Sequence, residues 1–344
     1  MIVTTKIFAS ARLSSHWLAR LREYGQVDHY DWSAASRLLN AEELASRMRD
    51  SDILIVESDQ VTAEMIRQAP QLKLIAVCRG GVINVDIDAA SELGILVINA
   101  PGRNADAVAD LTVCLMIMAA RHVLSAAQAL ADGRWARNGR RWAYVTHQGI
   151  ELPGRTAGLI GLGAIGKRVA ARLKGFGMRL LAYDPYVSPE TGAAFGVEMV
   201  DLVTLLREAD FVSLHVVVTP ETKGMIGAEE FALMKPTAYL INTARAALVD
   251  EQAMLEALRE KRIAGAALDV YHHEPLSLDN PLLSLDNVTC TPHIGGASRD
   301  VVDHQSRMVV EGIIDFLEGR QPAFPVNLGR VRERFNWNNE AQKD

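Results

Sequence analysis

Apolar and polar positions alternate along the first hundred residues in segments of two kinds. Segments between the apolar runs carry apolar residues at helical spacing, as at Trp17, Leu21 and Tyr24. The runs themselves are short and rich in branched residues, and they predict strands at 6–9, 52–56, 72–77 and 95–99. Strands that are apolar throughout and alternate with helices are buried on both faces. The pattern therefore predicts a parallel α/β sheet covered by helices.

A second series of strands and helices begins near Thr156. A helical pattern without internal Gly or Pro at 105–131 predicts a helix that connects two domains, and the pattern at 299–318 predicts a last helix. Six apolar runs predict strands at 157–160, 179–183, 211–214, 238–241, 264–268 and 287–291. The sequence thus predicts two doubly wound α/β domains with parallel sheets, followed by a polar tail over 331–344.

Length and composition agree with two globular domains. The chain has 344 residues, and about 150 residues per domain again gives two domains. Apolar residues make up 49% and charged residues 23%, which excludes disordered and fibrous classes. The net charge of −6 argues against nucleic acid or an acidic membrane as a partner, because proteins that bind them carry a basic surface.

The expected absence of a targeting signal and the spacing of the cysteines predict a cytoplasmic protein. The N-terminal segment lacks a basic region followed by a long apolar stretch, so we expect no secretory signal. The longest uncharged apolar run, 111–120, is too short to cross a bilayer. Cys78, Cys114 and Cys290 are widely spaced and odd in number, which favours reduced thiols over disulfides or a metal site. We therefore expect no metal ion.

A glycine-rich motif opens the second series. Residues 161–166 read Gly-Leu-Gly-Ala-Ile-Gly after an apolar strand and before an amphipathic helix, and the next strand ends at Asp184. In this context Gly161 permits a tight turn, Gly163 lets the backbone approach a pyrophosphate, and Gly166 lets helix and strand pack closely. Asp184 stands where a carboxylate accepts the ribose hydroxyls and repels a 2′-phosphate. The motif predicts a Rossmann domain that binds NAD rather than NADP.

Three polar residues follow predicted strands of the second domain. Arg245 follows YLINTA, Glu274 lies in YHHEP after ALDV, and His293 follows NVTCTP. The carboxyl ends of parallel strands are where α/β proteins bind ligands. Histidine suits proton transfer near neutral pH, a carboxylate orients it, and a guanidinium holds a substrate carboxylate. Together they predict carbonyl–alcohol redox chemistry.

These motifs are similar to those of a known family. GLGAIG, YDPY, TPETKGMIG, MKPTAYLINTARAALVDE, GAALDVYHHEPL and NVTCTPHIGGAS occur in the order found in D-isomer-specific 2-hydroxyacid dehydrogenases, which include phosphoglycerate dehydrogenase. The resemblance covers about 50–327. It implies a flavodoxin-like substrate domain made of 1–104 and 295–330, with the NAD-binding Rossmann domain, 105–294, inserted in it. The active site would lie in the cleft, and the partner would be a second copy held through the NAD-binding domain.

The resemblance also implies roles for individual residues. The catalytic residues would be Arg245, Glu274 and His293. The substrate carboxylate would bind backbone amides of Gly80, Gly81 and Val82, beside Asn104 and Arg245. Besides Gly161, Gly163, Gly166 and Asp184, the cofactor would lie along Ala164, Ile165, Thr243, Ala244, Asp269, Gly295 and Gly296.

The chain departs from the family pattern at several positions. The loop Cys78–Asp86 is about two residues shorter than usual, which affects the carboxylate site and hence the substrate. Ala246 replaces a usual glycine, Val216–Val217 replaces a common Leu-Pro, and Asp110 stands where Glu is usual. Segment 133–141, GRWARNGRR, carries four arginines, and it is either a solvated loop or a dimer-forming arm.

The function that these observations favour is the NAD-dependent interconversion of a small D-2-hydroxy acid and its 2-keto acid, of the phosphoglycerate, glyoxylate or hydroxypyruvate type. Two alternatives remain open. One is an NAD-sensing regulatory protein on the same frame. The other is a formate- or phosphite-type dehydrogenase, which Glu274 disfavours because the formate enzymes of the family carry glutamine at that position.

Overall fold

The computed structural model describes residues 5–335 and 337, and the strands within them are short. They are β1 (Lys6–Ser10), β2 (Gln26–Tyr30), β3 (Ile53–Val56), β4 (Leu74–Val77), β5 (Leu96–Asn99), β6 (Thr156–Ile160), β7 (Arg179–Tyr183), β8 (Glu198–Met199), β9 (Phe211–Leu214), β10 (Tyr239–Asn242), β11 (Gly265–Leu268) and β12 (Val288–Cys290).

Helices separate almost all of these strands. They are α1 (Ser15–Arg22), α2 (Trp32–Ala35), α3 (Ala41–Met48), α4 (Ala63–Arg67), α5 (Ile87–Glu92), α6 (Ala105–Ala120), α7 (Val123–Ala131), α8 (Arg134–Asn138), α9 (Arg140–Thr146), α10 (Ala164–Gly175), α11 (Pro189–Ala194), α12 (Leu202–Glu208), α13 (Ala228–Leu233), α14 (Glu251–Arg259), α15 (Arg299–Leu317) and α16 (Leu328–Val331). Short 3₁₀ helices occupy Ala246–Leu248, Pro281–Ser284 and Arg332–Arg334.

The chain divides into two compact units. Unit 1 comprises the described residues up to Arg103 and those from Ser298 onward, and unit 2 is Asn104–Ala297. The sequence predicted that the first part of the substrate domain ends at 104 and that the second part begins at 295. The structure moves the first boundary by one residue and the second by three.

Unit 1 is a five-stranded sheet in the order β2-β1-β3-β4-β5, with every pair parallel. The strand order reverses between β1 and β3, and doubly wound sheets bind ligands beside such a reversal, at the carboxyl ends of the strands. Apolar side chains cover both faces. On one face Ile55 packs with Val309 and Ile313 of α15, and on the other Leu54 packs with Leu44 of α3.

Unit 2 is a seven-stranded sheet in the order β12-β11-β10-β9-β6-β7-β8, again parallel throughout. Its order reverses between β6 and β9. Leu115 and Met116 of α6 are buried with Leu159 and Ala267 on one face. The prediction of two doubly wound α/β sheets is therefore confirmed.

Two strands escaped the sequence pattern. Strand β2, QVDHY, and strand β8, of two residues, lie at sheet edges, and neither contains a fully buried residue. Edge strands face solvent on one side, so their residues need not be apolar. A search of the sequence for apolar runs therefore does not detect these two strands.

The predicted helix at 105–131 is two helices. Helix α6 ends at Ala120, and His122 is left-handed with φ 51°. The N–H of Ile150 donates to the carbonyl oxygen of Ala120 at 2.9 Å, so the returning chain ends the helix although no Gly or Pro does. In the described part of the chain no single helix is long and apolar enough to cross a membrane. Helices α6 and α7 reach that length and apolar content only together, as a pair bent by 66°, and much of α6 is buried.

Two further segments are more ordered than expected. Within 133–141 the chain forms α8 and the start of α9, so this segment is helical rather than a loop, and most of its residues are exposed. In the predicted polar tail, Val331 is buried, and Phe335 and Trp337 pack on Phe316 of α15 at ring distances of 5.5 and 6.2 Å. The tail prediction is wrong for these residues, because their side chains are apolar and complete the unit 1 core. Residues 336 and 338–344 lie outside the described residues.

Asn327 fastens this C-terminal segment to unit 1. Its buried side chain accepts from the N–H of Val97 at 2.9 Å and donates to Ser91 Oγ at 2.9 Å and to the carbonyl oxygen of Ile95 at 3.0 Å.

Asn327→Ala should lower the free energy of unfolding of unit 1 by about 2–3 kcal/mol, because it leaves a buried N–H and a buried carbonyl without partners. Urea denaturation followed by circular dichroism measures the change. The matched control is Asn138→Ala, whose exposed amide donates to the Arg134 carbonyl oxygen at 2.8 Å, and it should change stability by less than about 0.5 kcal/mol. Equal effects of the two substitutions would contradict the role of Asn327.

Candidate active site

The glycine-rich loop of unit 2 follows β6, and its three glycines meet different surroundings. Gly161 has φ 99°, and a Cβ there would lie 2.8 Å from Val216 Cγ1. A Cβ on Gly166 would lie 2.2 Å from the carbonyl oxygen of Gly161. A Cβ on Gly163 would meet nothing within 4 Å. The first glycine therefore makes the turn, the third permits packing, and the second faces open space.

Helix α10 presents its N-terminus at this loop. It begins at Ala164, followed by Ile165, and its N-cap residue Gly163 supplies no side-chain hydrogen bond. The first N–H groups of an α-helix have no intrahelical acceptor, and the helix dipole is positive there. Free donors beside open space fit the pyrophosphate of a dinucleotide.

Asp184, directly after β7, is tied to the same loop. Its Oδ2 accepts from the N–H of Leu162 at 2.9 Å, and its Oδ1 accepts from the N–H of Tyr186 at 3.0 Å. Each carboxylate oxygen has a second lone pair, so both remain able to accept from a ribose hydroxyl.

The loop after β10 carries Arg245. The buried side chain of Asn242 accepts from the N–H of Ala244 at 3.0 Å and donates to the carbonyl oxygen of Arg245 at 2.9 Å. Thr243 pairs its hydroxyl with that of Thr112 at 2.8 Å. These bonds fix the backbone on both sides of Arg245, and its guanidinium is exposed, with one donor on the Ala244 carbonyl oxygen.

His293 and Glu274 form a hydrogen-bonded pair. The Nδ1 atom of His293 lies 2.7 Å from Glu274 Oε2, and Glu274 Oε1 accepts from the N–H of Tyr271 at 2.9 Å. Partial burial acts to raise the pKa of Glu274, but the bonds from His293 and Tyr271 and the charge of Arg245 outweigh it and lower that pKa. The structure thus joins Glu274 and His293 directly, and the charge of Arg245 contributes to lowering the pKa of Glu274.

Asp269 holds the loop that bears His293. Its Oδ1 accepts from Thr291 Oγ1 at 2.7 Å and from the N–H of Ile294 at 2.8 Å, and its Oδ2 accepts from the N–H of Gly295 at 2.7 Å. Asp269 is 1% exposed, and His293 is left-handed with φ 51°. A non-glycine residue in that conformation costs about 1–3 kcal/mol and persists only where its surroundings impose it. The bonds to Asp269 impose it here.

Asn104 lies against the end of this loop. A Cβ on Gly296 would come within 3.1 Å of Asn104 Nδ2, and one on Gly295 within 3.0 Å of Asp269 Oδ2. The structure therefore brings Asn104, Gly295 and Gly296 together in unit 2, beside Asp269.

The predicted carboxylate site, Gly80–Val82, belongs to unit 1. It follows β4 at the carboxyl edge, and Gly80 and Gly81 are exposed. Among the hydrogen bonds of the described residues, none is donated by the N–H of Gly80, Gly81 or Val82. Anion-binding concavities in proteins are built from successive backbone N–H groups of a turn that converge on one point.

Sequence reasoning missed two residues that shape the site in unit 2. Asn242 was not singled out, and Tyr271, which holds Glu274, was not either. A buried polar residue that ends an apolar strand, as Asn242 does in YLIN, was the available signal. Tyr271 gave none, because it holds Glu274 through a backbone N–H.

His215 lies at the strand-order reversal of unit 2, directly after β9. Its Nε2 is 3.0 Å from Ser213 Oγ, and its Nδ1 is buried without a described partner. Burial of the ring disfavours the charged form and lowers the pKa of His215 to about 4.

Unit 2 should therefore lose stability on acidification. The unfolded chain protonates this ring below about pH 6.5, and the folded chain does so only near pH 4. The stabilisation is complete above pH 6.5 and falls by up to about 3 kcal/mol as the pH drops towards 4. The free energy of unfolding, measured with urea at pH 7 and at pH 4.5, should fall less on acidification in His215→Asn than in the wild type. The substitution of the exposed His16, His16→Asn, is the control and should behave like the wild type. Equal losses would contradict burial as the cause.

Comparisons with known proteins agree with this geometry. Residues 113–295 match the family model described as D-isomer specific 2-hydroxyacid dehydrogenase, NAD binding domain. The chain is 42% identical over 95% of its length to D-3-phosphoglycerate dehydrogenase of Methanocaldococcus jannaschii, of which it spans only 60%. It is 38% identical to glyoxylate reductase of Korarchaeum cryptofilum, covering 96% of this chain and 98% of that one.

A solved structure gives the same result for the fold. The TT0316 protein from Thermus thermophilus superposes with a TM-score of 0.80 at 39% identity, covering 94% of this chain and all of that one. The predicted resemblance is confirmed, and unit 2 contains the family's NAD-binding domain. The chain belongs to the D-isomer specific 2-hydroxyacid dehydrogenase family.

Proposed function

We propose that the protein is an NAD-dependent oxidoreductase that interconverts a small D-2-hydroxy acid and its 2-keto acid. The observation that carries this proposal is the pair of His293 and Glu274, 2.7 Å apart, in the unit that binds the dinucleotide. Reduction of a carbonyl needs a proton donor beside a hydride donor, and bound NADH supplies the hydride. The pair supplies the proton.

We assign the transferred proton to one atom of His293. Because Nδ1 donates to Glu274, Nε2 is the atom that gives its proton to the carbonyl oxygen and takes it back in the reverse direction. The lowered pKa of Glu274 keeps this carboxylate ionised near neutral pH, so it stabilises the imidazolium form. In this mechanism Arg245 binds the substrate carboxylate and the reacting oxygen.

The substrate carboxylate is assigned to the N–H groups of Gly80, Gly81 and Val82, with Asn104 as a further contact. The free N–H groups of this loop support the assignment. Relatives named phosphoglycerate dehydrogenase and glyoxylate reductase support a substrate of the phosphoglycerate, glyoxylate or hydroxypyruvate type.

The cofactor preference is for NAD over NADP. Asp184 would repel a 2′-phosphate, and the YDPYV segment around it contains no Arg or Lys to attract one. Thr243, Ala244, Asp269, Gly295 and Gly296 are assigned to the nicotinamide half.

We further assign the assembly and its location. The segment 123–145 exposes six large apolar side chains, which supports a homodimer formed through unit 2; these are Val123, Leu124, Leu130, Trp135, Tyr144 and Val145. All three cysteines are free thiols, which supports a cytoplasmic location.

The wild type should oxidise NADH in the presence of at least one of glyoxylate, hydroxypyruvate, pyruvate and 3-phosphohydroxypyruvate. His293→Ala should lower kcat by about a hundredfold or more, because general acid catalysis is lost, and should leave NADH binding unchanged. Absorbance at the NADH band measures turnover, and fluorescence titration measures binding. Wild-type turnover in His293→Ala would exclude the proton-transfer role, and an inactive wild type would exclude the reaction.

Asp184→Ala should relax the discrimination against NADPH. Removing the carboxylate removes its repulsion of the 2′-phosphate, so the ratio of kcat/KM for NADH to that for NADPH should fall by about tenfold or more. Asp132→Ala is the control, because this exposed carboxylate lies well before Asp184 in the sequence and pairs with Arg134. An unchanged ratio would show that Asp184 is not at the ribose.

A further inference from the structure

The loop proposed to bind the substrate carboxylate is held by the strand beside it. The side-chain amide of Asn99, the last residue of β5, donates to the carbonyl oxygen of Gly80 at 2.7 Å. The N–H of the next residue, Ala100, donates to the carbonyl oxygen of Arg79 at 2.9 Å. Two consecutive carbonyl groups of the loop are therefore directed at the end of β5.

The orientation of these carbonyls fixes the orientation of two N–H groups. In a trans peptide the C=O of one residue and the N–H of the next point in opposite directions. Holding the carbonyls of Arg79 and Gly80 against β5 turns the N–H groups of Gly80 and Gly81 away from it, both to the same side. Neither N–H has an acceptor among the described residues, and a Cβ on Gly81 would meet nothing within 4 Å. Two N–H groups on one side of a loop, facing open space, match the two oxygens of a carboxylate.

Asn99 is itself rigidly placed. It pairs with Val77 in the sheet, and its N–H donates to the carbonyl oxygen of Phe324 at 3.2 Å. One hydrogen bond to Gly80 thus connects the loop to the unit 1 sheet through a fixed side chain. The second hydrogen bond, from the N–H of Ala100 to the carbonyl oxygen of Arg79, joins two backbone groups. Asn99 therefore supplies the side chain on which the arrangement depends.

We propose that Asn99 is a positioning residue for substrate binding, which aims the Gly80 and Gly81 N–H groups at the substrate carboxylate. The proposal rests on the proposed function, because it assumes that the loop binds the carboxylate of a 2-keto acid. Asn99 itself touches neither substrate nor cofactor in this scheme.

The test is a separation of substrate binding from the chemical step. In Asn99→Ala the KM for glyoxylate and the Kd of oxamate, a carboxylate analogue that does not react, should both rise by about tenfold, the value of one hydrogen bond. The kcat and the Kd of NADH should stay within about threefold of the wild type, because the residues of unit 2 are unchanged. Asn99→Asp keeps the shape but lacks the N–H donors, so it should show at least the same rise.

The control is Asn287→Ala. The side-chain amide of Asn287, just before β12, donates to the carbonyl oxygen of Leu258 at 3.2 Å, so the substitution removes a hydrogen bond of the same kind. It should leave both constants unchanged. Unchanged oxamate binding in Asn99→Ala or Asn99→Asp would overturn the proposal, as would an equal loss in kcat and in NADH binding, which indicates general damage to the fold. Where Asn99→Ala does not fold, Asn99→Leu decides, because it is uncharged, similar in size and lacks the N–H donor. Failure of the wild type to reduce any keto acid would overturn the proposed function instead, since oxamate binding to the NADH complex requires no turnover.

Discussion

The carboxylate of Asp269 is the contact on which the candidate active site depends. A buried charge is costly unless hydrogen bonds satisfy it, and here three donors from Thr291, Ile294 and Gly295 do so. These bonds join the end of β11 to the chain after β12, and they hold His293 in a left-handed conformation at 2.7 Å from Glu274. Without this carboxylate the loop would keep three buried or partly buried donors with no acceptor. The proposed contact of Asp269 with the nicotinamide is compatible with this role, because Oδ2 accepts only one of the three bonds and keeps a second lone pair.

The same device recurs at the carboxyl ends of two strands. Asn242 ends β10 and brackets the backbone around Arg245, and Asn99 ends β5 and holds the carbonyl of Gly80. An amide suits this position because it donates and accepts at once, without the charge that would perturb a site for anions. Each asparagine follows three buried residues of its strand, so its backbone is held in the sheet.

The fold of unit 2 and the placement of its strand-end polar residues were largely predictable, and the reasons are local. Apolar strands and the glycine motif carry their signal in consecutive residues, as in Thr156–Ile160 and the six residues after it. What sequence reasoning missed depends on distant partners. The break between α6 and α7 arises because the N–H of Ile150 donates to the carbonyl of Ala120, and β2 was overlooked because an edge strand needs no apolar run. Arg245, Glu274 and His293 were found as strand-end residues, whereas Asn99 and Asn242 looked like ordinary strand ends until their partners were known.

In the proposed mechanism the two units present backbone N–H groups to anions by different means, and the difference predicts where substitutions matter. In unit 2 the donors belong to the first turn of α10, whose direction is set by helical hydrogen bonding, so only the glycines that permit the turn and the packing are demanding. In unit 1 no helix begins at Gly80, and the direction of each N–H depends on where the preceding carbonyl is held. One of those two carbonyls is held by a side chain. The proposed carboxylate site of unit 1 is therefore sensitive to a residue nineteen positions away in sequence, while the direction of the N–H groups at the start of α10 is set within the glycine motif and its helix.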